Sequence, residues 1–122
     1  MADNENTDTI KSLDENIDIT KSLDEYTDKE LTTVFQKHAE KVTTLKTTPD
    51  NDTKLKLYGL FKQAKDGDNE TPQPGFLDFV GKKKWEAWTS RKGLSAKEAE
   101  TKYIELVREL IDKHGVKEED EE

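Results

Sequence analysis

The pattern of apolar and polar positions in the middle of the chain predicts amphipathic helices. The first follows Thr27 and Glu30, which have the spacing of a capping box, in which each side chain bonds the other residue's backbone N–H. Its apolar face recurs every three or four residues and comprises Leu31, Val34, Phe35, His38, Val42 and Leu45. This helix should end before Pro49, because a residue that precedes proline is disfavoured in the helical conformation.

A second helix is predicted to begin at Thr48, with Thr48 as the N-cap and Pro49 at the first helical position, where proline is tolerated. Its apolar face comprises Leu57, Leu60, Phe61 and Ala64. The sequence Asp-Gly-Asp at 66–68 should end this helix, because these residues favour turns.

A long loop and a short third helix come next. Residues 66–78 are rich in Gly, Pro, Asp and Asn, which is typical of a loop. The third helix is predicted over Val80–Ser90 and carries Trp85 and Trp88 three residues apart. We expect these two indoles mainly to support the core and a groove.

The fourth helix has the clearest boundaries. Ser95 and Glu98 form a second capping box, and Gly115 supplies a glycine stop. The apolar face comprises Ala99, Tyr103, Leu106, Val107 and Leu110. No segment alternates apolar and polar residues for long enough to indicate a strand, so the predicted fold class is all-α, a compact four-helix bundle.

The net charge hides an uneven distribution. The 122 residues carry 28 acidic and 20 basic side chains, and a net charge of −8 taken whole argues against anionic ligands. Residues 1–30 hold ten acidic side chains and three lysines, net −7, and residues 117–122 hold five acidic side chains and one lysine, net −4. Residues 31–116 carry 16 basic and 13 acidic side chains, so this part is mildly basic at +3 and is compatible with an anionic ligand.

Two acidic ends are therefore predicted to flank one domain: an N-terminal extension at 1–26, a domain at 27–116 and a solvated tail at 117–122. The extension repeats the sequence KSLDE at 11–15 and 21–25, but two copies are too few for a solenoid. Its apolar residues are sparse, which favours disorder or a marginal helix over a docked element.

Composition argues against several classes of protein. The absence of cysteine excludes disulfides and cysteine zinc sites, and two histidines argue against a His-rich metal site. No run approaches the ~18 apolar residues of a membrane span, and the first residues do not read as a secretion signal. The sequence contains no recognisable pair of a nucleophile and a general base, which argues against an enzyme. The basic run Lys82–Lys84 lies in a part of net charge only +3, which disfavours nucleic acid.

Short motifs run in order through residues 31–116. They are Lys46-Thr47 with Pro49, Leu57-Tyr58, Phe61-Lys62-Gln63-Ala64, Gly67-Asp68, Pro74-Gly75-Phe76-Leu77-Asp78-Phe79, Gly81-Lys82-Lys83-Lys84-Trp85-Glu86-Ala87-Trp88, Lys92-Gly93 and Tyr103-Ile104. In this order and spacing they resemble the acyl-CoA-binding protein family. The resemblance implies a cytoplasmic, monomeric four-helix protein without a cofactor, which binds long-chain fatty acyl-CoA and passes it between enzymes and membranes without catalysing a reaction.

The resemblance also implies roles for individual residues. Tyr58 and Lys62 lie four residues apart on one helix face, with Phe61 beside them. By resemblance, Tyr58 and Lys62 bind the 3′-phosphate of CoA, Phe61 stacks on the adenine, Lys84 binds phosphate and Tyr103 borders the ligand. The implied path of the acyl chain is lined by Phe35, His38, Ala39 and Leu55. Without the resemblance, the residues alone favour Tyr58 and Phe61 as core residues beside a solvated Lys62, and the resemblance reverses this preference.

Three positions depart from the family pattern. Phe61 replaces the usual tyrosine and loses its hydroxyl, while Thr43 and Val80 stand where basic residues are common. The loss of two cations should make Lys62 and Lys84 carry more of the attraction for phosphate. An alternative that stays open at this point is a regulatory protein-interaction module that uses the acidic tails, with generic lipid binding.

Overall fold

The structure is a computed structural model that describes residues 22–117. Within this range there are four α-helices, which are α1 (Asp28–Lys41), α2 (Asn51–Asp66), α3 (Phe79–Thr89) and α4 (Ala96–His114). Short 3₁₀ turns cover Leu23–Glu25 and Val42–Thr44. The prediction of an all-α, four-helix fold is confirmed. The first KSLDE copy and the predictions for residues 1–21 and 118–122 lie outside the described residues.

The longest helix, α4, organises the packing. It lies against both α1 and α2, and α3 packs on α2. The buried cluster between α1, α2 and α4 comprises Tyr26, Leu31, Val34, Phe35, Leu45, Leu57, Leu60, Tyr103, Ile104, Val107 and Leu110. A single antiparallel bridge between Leu45 and Val116 ties the α1–α2 connection to the end of α4. The apolar helical faces predicted from the sequence therefore meet in one core.

Both predicted capping boxes are present. The Glu30 N–H donates to the Thr27 hydroxyl oxygen at 3.1 Å, and the Thr27 N–H donates to the Glu30 carboxylate at 2.9 Å. Ser95 and Glu98 make the same pair of bonds at 3.0 and 2.9 Å. At the other end of α4, Gly115 ends the helix with a φ of 73°, a conformation that glycine adopts without a steric cost.

The predicted starts of α2 and α3 were wrong by one or two residues. The N-cap of α2 is Asp50, not Thr48, because the Asp50 carboxylate accepts the Thr53 N–H at 2.8 Å. Since helix α2 begins at Asn51, Thr48 and the proline that follows it belong to the connection before the helix. Helix α3 begins one residue earlier than predicted, because Asp78 caps it through a 2.9 Å bond from the Gly81 N–H.

The end of the acidic extension that the structure describes contributes to the core. Tyr26 is 4% exposed and belongs to the buried cluster, and Leu23 packs against that cluster from the 3₁₀ turn. Both residues lie before residue 27, where the domain was predicted to start. Residues 22–26 are thus joined to the bundle by apolar contacts.

The long loop between α2 and α3 is held by side chains of α3. The Trp88 indole N–H donates to the Gly67 carbonyl at 2.8 Å, and the Trp85 indole N–H donates to the Thr71 carbonyl at 2.9 Å. The side-chain amide of Asn69 donates to the Thr89 hydroxyl at 2.9 Å. These bonds fix the first half of the loop on α3, and Trp88 is buried as predicted.

A buried polar group joins the end of α2 to the connection between α3 and α4. The buried Gln63 side chain donates to the Asp68 carboxylate at 2.8 Å and to the Leu94 carbonyl at 3.0 Å. Asp68 also accepts the Gly93 N–H at 2.9 Å. Bonds from Gly93 and Gln63 lower the pKa of Asp68, since they stabilise its charged form.

Glu100 is the one carboxylate that the structure buries among residues 22–117. It is 7% exposed on α4 and accepts a 3.0 Å bond from the Thr32 hydroxyl of α1. Burial raises its pKa above the ordinary value, the Thr32 bond opposes this, and the charge of Asp28 adds to the rise. The folded protein therefore holds this proton more tightly than the unfolded chain does.

We expect Glu100→Gln to stabilise the fold at neutral pH. Because the folded-state pKa is raised, the stability of the parent protein falls as pH rises from the unfolded value of 4.5 through the folded value. Glutamine removes this loss and keeps an acceptor for Thr32. The gain in the free energy of unfolding should be present at pH 7, within the roughly 0.5–2 kcal/mol that single stabilising substitutions commonly give, and should vanish near pH 4.

Urea unfolding of both proteins at several pH values measures this difference. Glu105→Gln is the matched control, because Glu105 lies exposed on the same helix. If Glu100→Gln were equally stabilising at pH values below the pKa of this carboxyl in the unfolded chain, burial of its charge could not be the cause.

Candidate ligand-binding site

Three aromatic side chains from three helices form the centre of the candidate site. The ring centroids of Phe35 and Tyr103 lie 5.0 Å apart at an interplanar angle of 72°. Phe61 lies 5.6 Å from Phe35 and 6.1 Å from Tyr103. Phe35 and Tyr103 are buried, whereas Phe61 is half-buried and keeps part of its ring accessible. Burial raises the pKa of Tyr103 to about 12, so its phenol is neutral at physiological pH.

Helices α2 and α3 bring a lysine and a tyrosine together. The Lys84 ammonium lies 5.5 Å from the centroid of the Tyr58 ring, within the range of a cation–π contact. Tyr58 is half-buried and Lys84 is exposed. The pair therefore presents a phenol and a cation at the same surface, although 26 positions separate the two residues in the sequence.

A second lysine, Lys62, lies on the same face of α2 as Tyr58. The Lys62 ammonium is 4.7 Å from the centroid of the Trp88 ring and 2.5 Å from the carboxylate of Asp66. The hydrogen bond from Lys62 to Asp66 raises the pKa of the lysine, so Lys62 is a cation at neutral pH. Sequence reasoning missed the role of Asp66, although its i, i+4 spacing from Lys62 is a known signal for a helical ion pair.

The remaining predicted residues lie on α1 and α2. His38 is half-buried, with Nδ1–H donating to the Val34 carbonyl at 2.8 Å and Nε2 accepting from Arg108 at 3.3 Å. These bonds fix the orientation of the imidazole between α1 and α4. Ala39 and Leu55 are half-buried.

The two positions that lack the family's common basic residues are both at the surface. Thr43 is exposed, and its hydroxyl donates to the Glu40 carbonyl at 2.7 Å. It also lines a cavity of about 280 Å³ between the end of α1 and the start of α2, with Pro49 and Leu57 among its other walls. None of the nine predicted ligand-binding residues lines this cavity. Val80 is 67% exposed at the start of α3.

The geometry suits a ligand that combines anionic groups with an aromatic ring. Lys62 and Lys84 supply two cations, Tyr58 supplies a phenol in contact with Lys84, and Phe61 supplies a half-buried ring. Charge-assisted bonds from ammonium groups are the strong interactions available to a phosphate. Among residues 22–117, no three His, Asp or Glu side chains are grouped to hold a metal ion, and no helix is long and apolar enough to cross a bilayer.

Comparison with known proteins identifies the family. The family model described as acyl CoA binding protein matches residues 32–107, which is more than half of the chain. This chain belongs to the acyl-CoA-binding protein family. The match covers all four helices except the first turn of α1 and the last turns of α4, and the acyl-CoA-binding protein motifs from Lys46 to Ile104 lie within it.

Relatives in this family share about half of the aligned residues. Acyl-CoA-binding protein homolog 1 of Caenorhabditis elegans is 52% identical over 85 residues, which cover 70% of this chain and 99% of that protein. The Drosophila melanogaster acyl-CoA-binding protein homolog is 50% identical over 81 residues, which cover 66% and 94%. The crystal structure of Oryza sativa acyl-CoA-binding protein 2 superposes with a TM-score of 0.66 at 41% identity and covers 68% of this chain and 92% of that one.

Proposed function

We propose that this chain binds long-chain fatty acyl-CoA thioesters and transports them in the cytoplasm as a monomer, without catalysing a reaction on them. The observation that carries this proposal is that Lys84 contacts Tyr58 across two helices, while Lys62 and the half-buried Phe61 lie on the same helix as Tyr58. This arrangement combines phosphate-binding cations with a stacking surface, as a nucleotide with a 3′-phosphate and a pyrophosphate requires. Membership of the acyl-CoA-binding protein family supports the same ligand.

The head group of CoA would occupy the surface between α2 and α3. We assign Tyr58 and Lys62 to the 3′-phosphate, Lys84 to a phosphate and Phe61 to the adenine ring. Lys62 and Lys84 contact the rings of Trp88 and Tyr58, which limits their motion before the ligand arrives. Less side-chain freedom then remains to be lost when the phosphate binds.

The acyl chain would follow the apolar surface of α1, α2 and α4. We assign its path to Phe35, His38, Ala39 and Leu55, and Tyr103 would border the bound ligand. Phe35 is 1% exposed beneath Phe61 and Tyr103, so in this conformation it supports the path from below. At ~0.8 kcal/mol per methylene, burial of a 16-carbon chain contributes roughly 10 kcal/mol before the costs of association.

Three calorimetric titrations test the proposal: palmitoyl-CoA, free CoA and palmitate against the full chain. We expect tight one-to-one binding of the thioester and far weaker binding of each half, because each half lacks one of the two interactions. Chromatography of the bound ligand should return the intact thioester. Equal affinity for palmitate would show a generic lipid carrier, and released CoA would show catalysis.

We expect Asp66→Asn to raise the affinity for acyl-CoA by about two- to fivefold, which corresponds to the free energy that an exposed ion pair contributes. Asp66 holds Lys62 at 2.5 Å, so a phosphate must compete with this carboxylate for the same ammonium. Asparagine removes the competing charge and leaves Lys62 in place. Asp112→Asn on α4 is the control, because it changes the net charge equally at an exposed site. An equal gain in both variants would indicate a general effect of charge.

A further inference from the structure

The loop that leads into α3 ends in a turn with two large apolar side chains at its tip. The Asp78 N–H donates to the Gly75 carbonyl at 3.0 Å, so Phe76 and Leu77 occupy the two central positions of a β-turn. Their exposed fractions are 77% and 71%. Central turn positions favour Gly, Pro, Asn, Asp and Ser, so neither the turn nor the core explains these two residues.

The exposed apolar surface continues into the first turn of α3. Phe79 and Val80 are each 67% exposed, and with Phe76 and Leu77 they form what we call the apolar tip. Asp78 interrupts the run, but its carboxylate accepts the Gly81 N–H at 2.9 Å and caps the helix. A contiguous exposed apolar patch of this kind marks an interaction surface.

Basic residues follow the apolar tip directly. Lys83 and Lys84 are exposed and Lys82 is half-exposed. Residues 76–84 hold three lysines and one aspartate, net +2, in a chain whose total is −8. The apolar tip and these lysines therefore form a locally cationic surface on an acidic protein.

The loop is fixed before any partner binds. Trp85 and Asn69 bond the first half of the loop to α3 through Thr71 and Thr89. The turn at Gly75–Asp78 then leads into α3 within one residue. Since the apolar tip is held in this way, little conformational entropy is lost when it becomes buried.

We infer that the apolar tip inserts into the surface of an anionic lipid bilayer, with Lys82 and Lys83 against the headgroup phosphates. A projecting turn suits a fluid apolar layer, whereas a folded protein would need a matching groove. Lysines beside the inserted residues extend their ammonium groups to the headgroups. The acidic extension and tail would be repelled by the same surface, so the charge distribution orients α3 toward the bilayer.

Docking in this orientation would also favour transfer of acyl-CoA from the bilayer. This second step rests on the proposed function, whereas the docking itself is independent of it. Val80 and Lys84 lie one helical turn apart on α3, and Lys84 contacts Tyr58. A bilayer at the apolar tip would therefore lie beside the candidate CoA site. An acyl-CoA could then pass between the membrane and the protein over a short distance.

Co-sedimentation of the full chain with vesicles, in the absence of acyl-CoA, tests the inference. The vesicles are pure phosphatidylcholine or phosphatidylcholine with a substantial phosphatidylserine fraction. We expect salt-sensitive binding to the phosphatidylserine vesicles and a loss of about tenfold or more in Phe76→Ser/Leu77→Ser. Lys83→Ala should lose about fivefold on these vesicles, which corresponds to about 1 kcal/mol per basic residue near the surface. Lys102→Ala, exposed on α4, is the matched control and should change little.

Two results would overturn the inference: no binding to phosphatidylserine vesicles, or binding that Phe76→Ser/Leu77→Ser leaves unchanged. Sedimentation equilibrium tests for a third such result, dimerisation of the parent chain that is lost in Phe76→Ser/Leu77→Ser. That result would assign the apolar tip to contact with a second copy of the chain. Circular dichroism checks that the variants fold. The palmitoyl-CoA titration without vesicles reports on the ligand site separately, so failure of one idea is distinguishable from failure of the other.

Discussion

Replacing Lys84 with alanine should weaken palmitoyl-CoA binding by well over tenfold, and Lys62→Ala should do the same. A charge-assisted hydrogen bond to phosphate contributes about 1.5–3 kcal/mol, which corresponds to a loss of roughly 10- to 150-fold. Thr43 and Val80 supply no cation at positions where the family often has one. The two remaining lysines should therefore carry a larger share of the head-group affinity.

The chain offers a control for each lysine. Lys83 is the exposed neighbour of Lys84, and Lys65 is exposed one turn after Lys62 on α2. In calorimetric titrations at fixed salt, Lys83→Ala and Lys65→Ala should lose no more than about threefold, because only long-range attraction changes. Losses below tenfold for both Lys84→Ala and Lys62→Ala would refute their assignment to the phosphates.

Much of the fold could be predicted because its helix boundaries depend on local interactions. Thr27 with Glu30 and Ser95 with Glu98 satisfy backbone N–H groups only three residues away, so their spacing was sufficient. The same reasoning predicted the wrong N-cap for α2, because Thr48 and Asp50 both have side chains that can cap a helix. The Asp50 carboxylate bonds the Thr53 N–H, and the helix starts after it.

Interactions between distant segments could not be predicted from local patterns. Gln63 is 1% exposed because Asp68 and the Leu94 carbonyl accept bonds from its amide, and its sequence neighbours give no sign of these partners. The burial of Glu100 likewise depends on Thr32, which lies 68 positions earlier. Polar residues of this kind look solvent-facing until the helices are packed together.

In the candidate site, too, contacts within one helix could be predicted and contacts between helices could not. The spacing of Tyr58, Phe61 and Lys62 along one helix placed them on one face, because that depends on helical geometry alone. The contact of Lys84 with Tyr58 joins two helices and is known only from the structure, because the resemblance implied a phosphate-binding role for Lys84 but no contact with Tyr58. Phe76 was predicted only to lie in the loop at residues 66–78, and the 77% exposure of its side chain is known from the structure alone.

Gly59 lies where the backbones of α2 and α3 come close together. It is buried in the middle of α2, opposite the backbone of Ala87 on α3. A Cβ atom at this position would lie 2.4 Å from the Ala87 carbonyl oxygen and 2.8 Å from its carbonyl carbon. Real Cβ contacts are longer, and backbone atoms cannot move aside as the end of a flexible side chain can. The two helices can therefore pack at this distance only because residue 59 has no side chain.

Gly59→Ala should consequently destabilise the protein by about 1–3 kcal/mol, the usual cost of overpacking a close contact. Helix propensity alone predicts the opposite, a gain of about 1 kcal/mol for alanine over glycine inside a helix. Urea unfolding decides between them, with Gly75→Ala as the control, because a Cβ there meets no atom within 4 Å. A variant as stable as the parent would show that α3 shifts without cost. If α3 is instead forced away from α2, Lys84 moves from Tyr58, and palmitoyl-CoA affinity should fall together with stability.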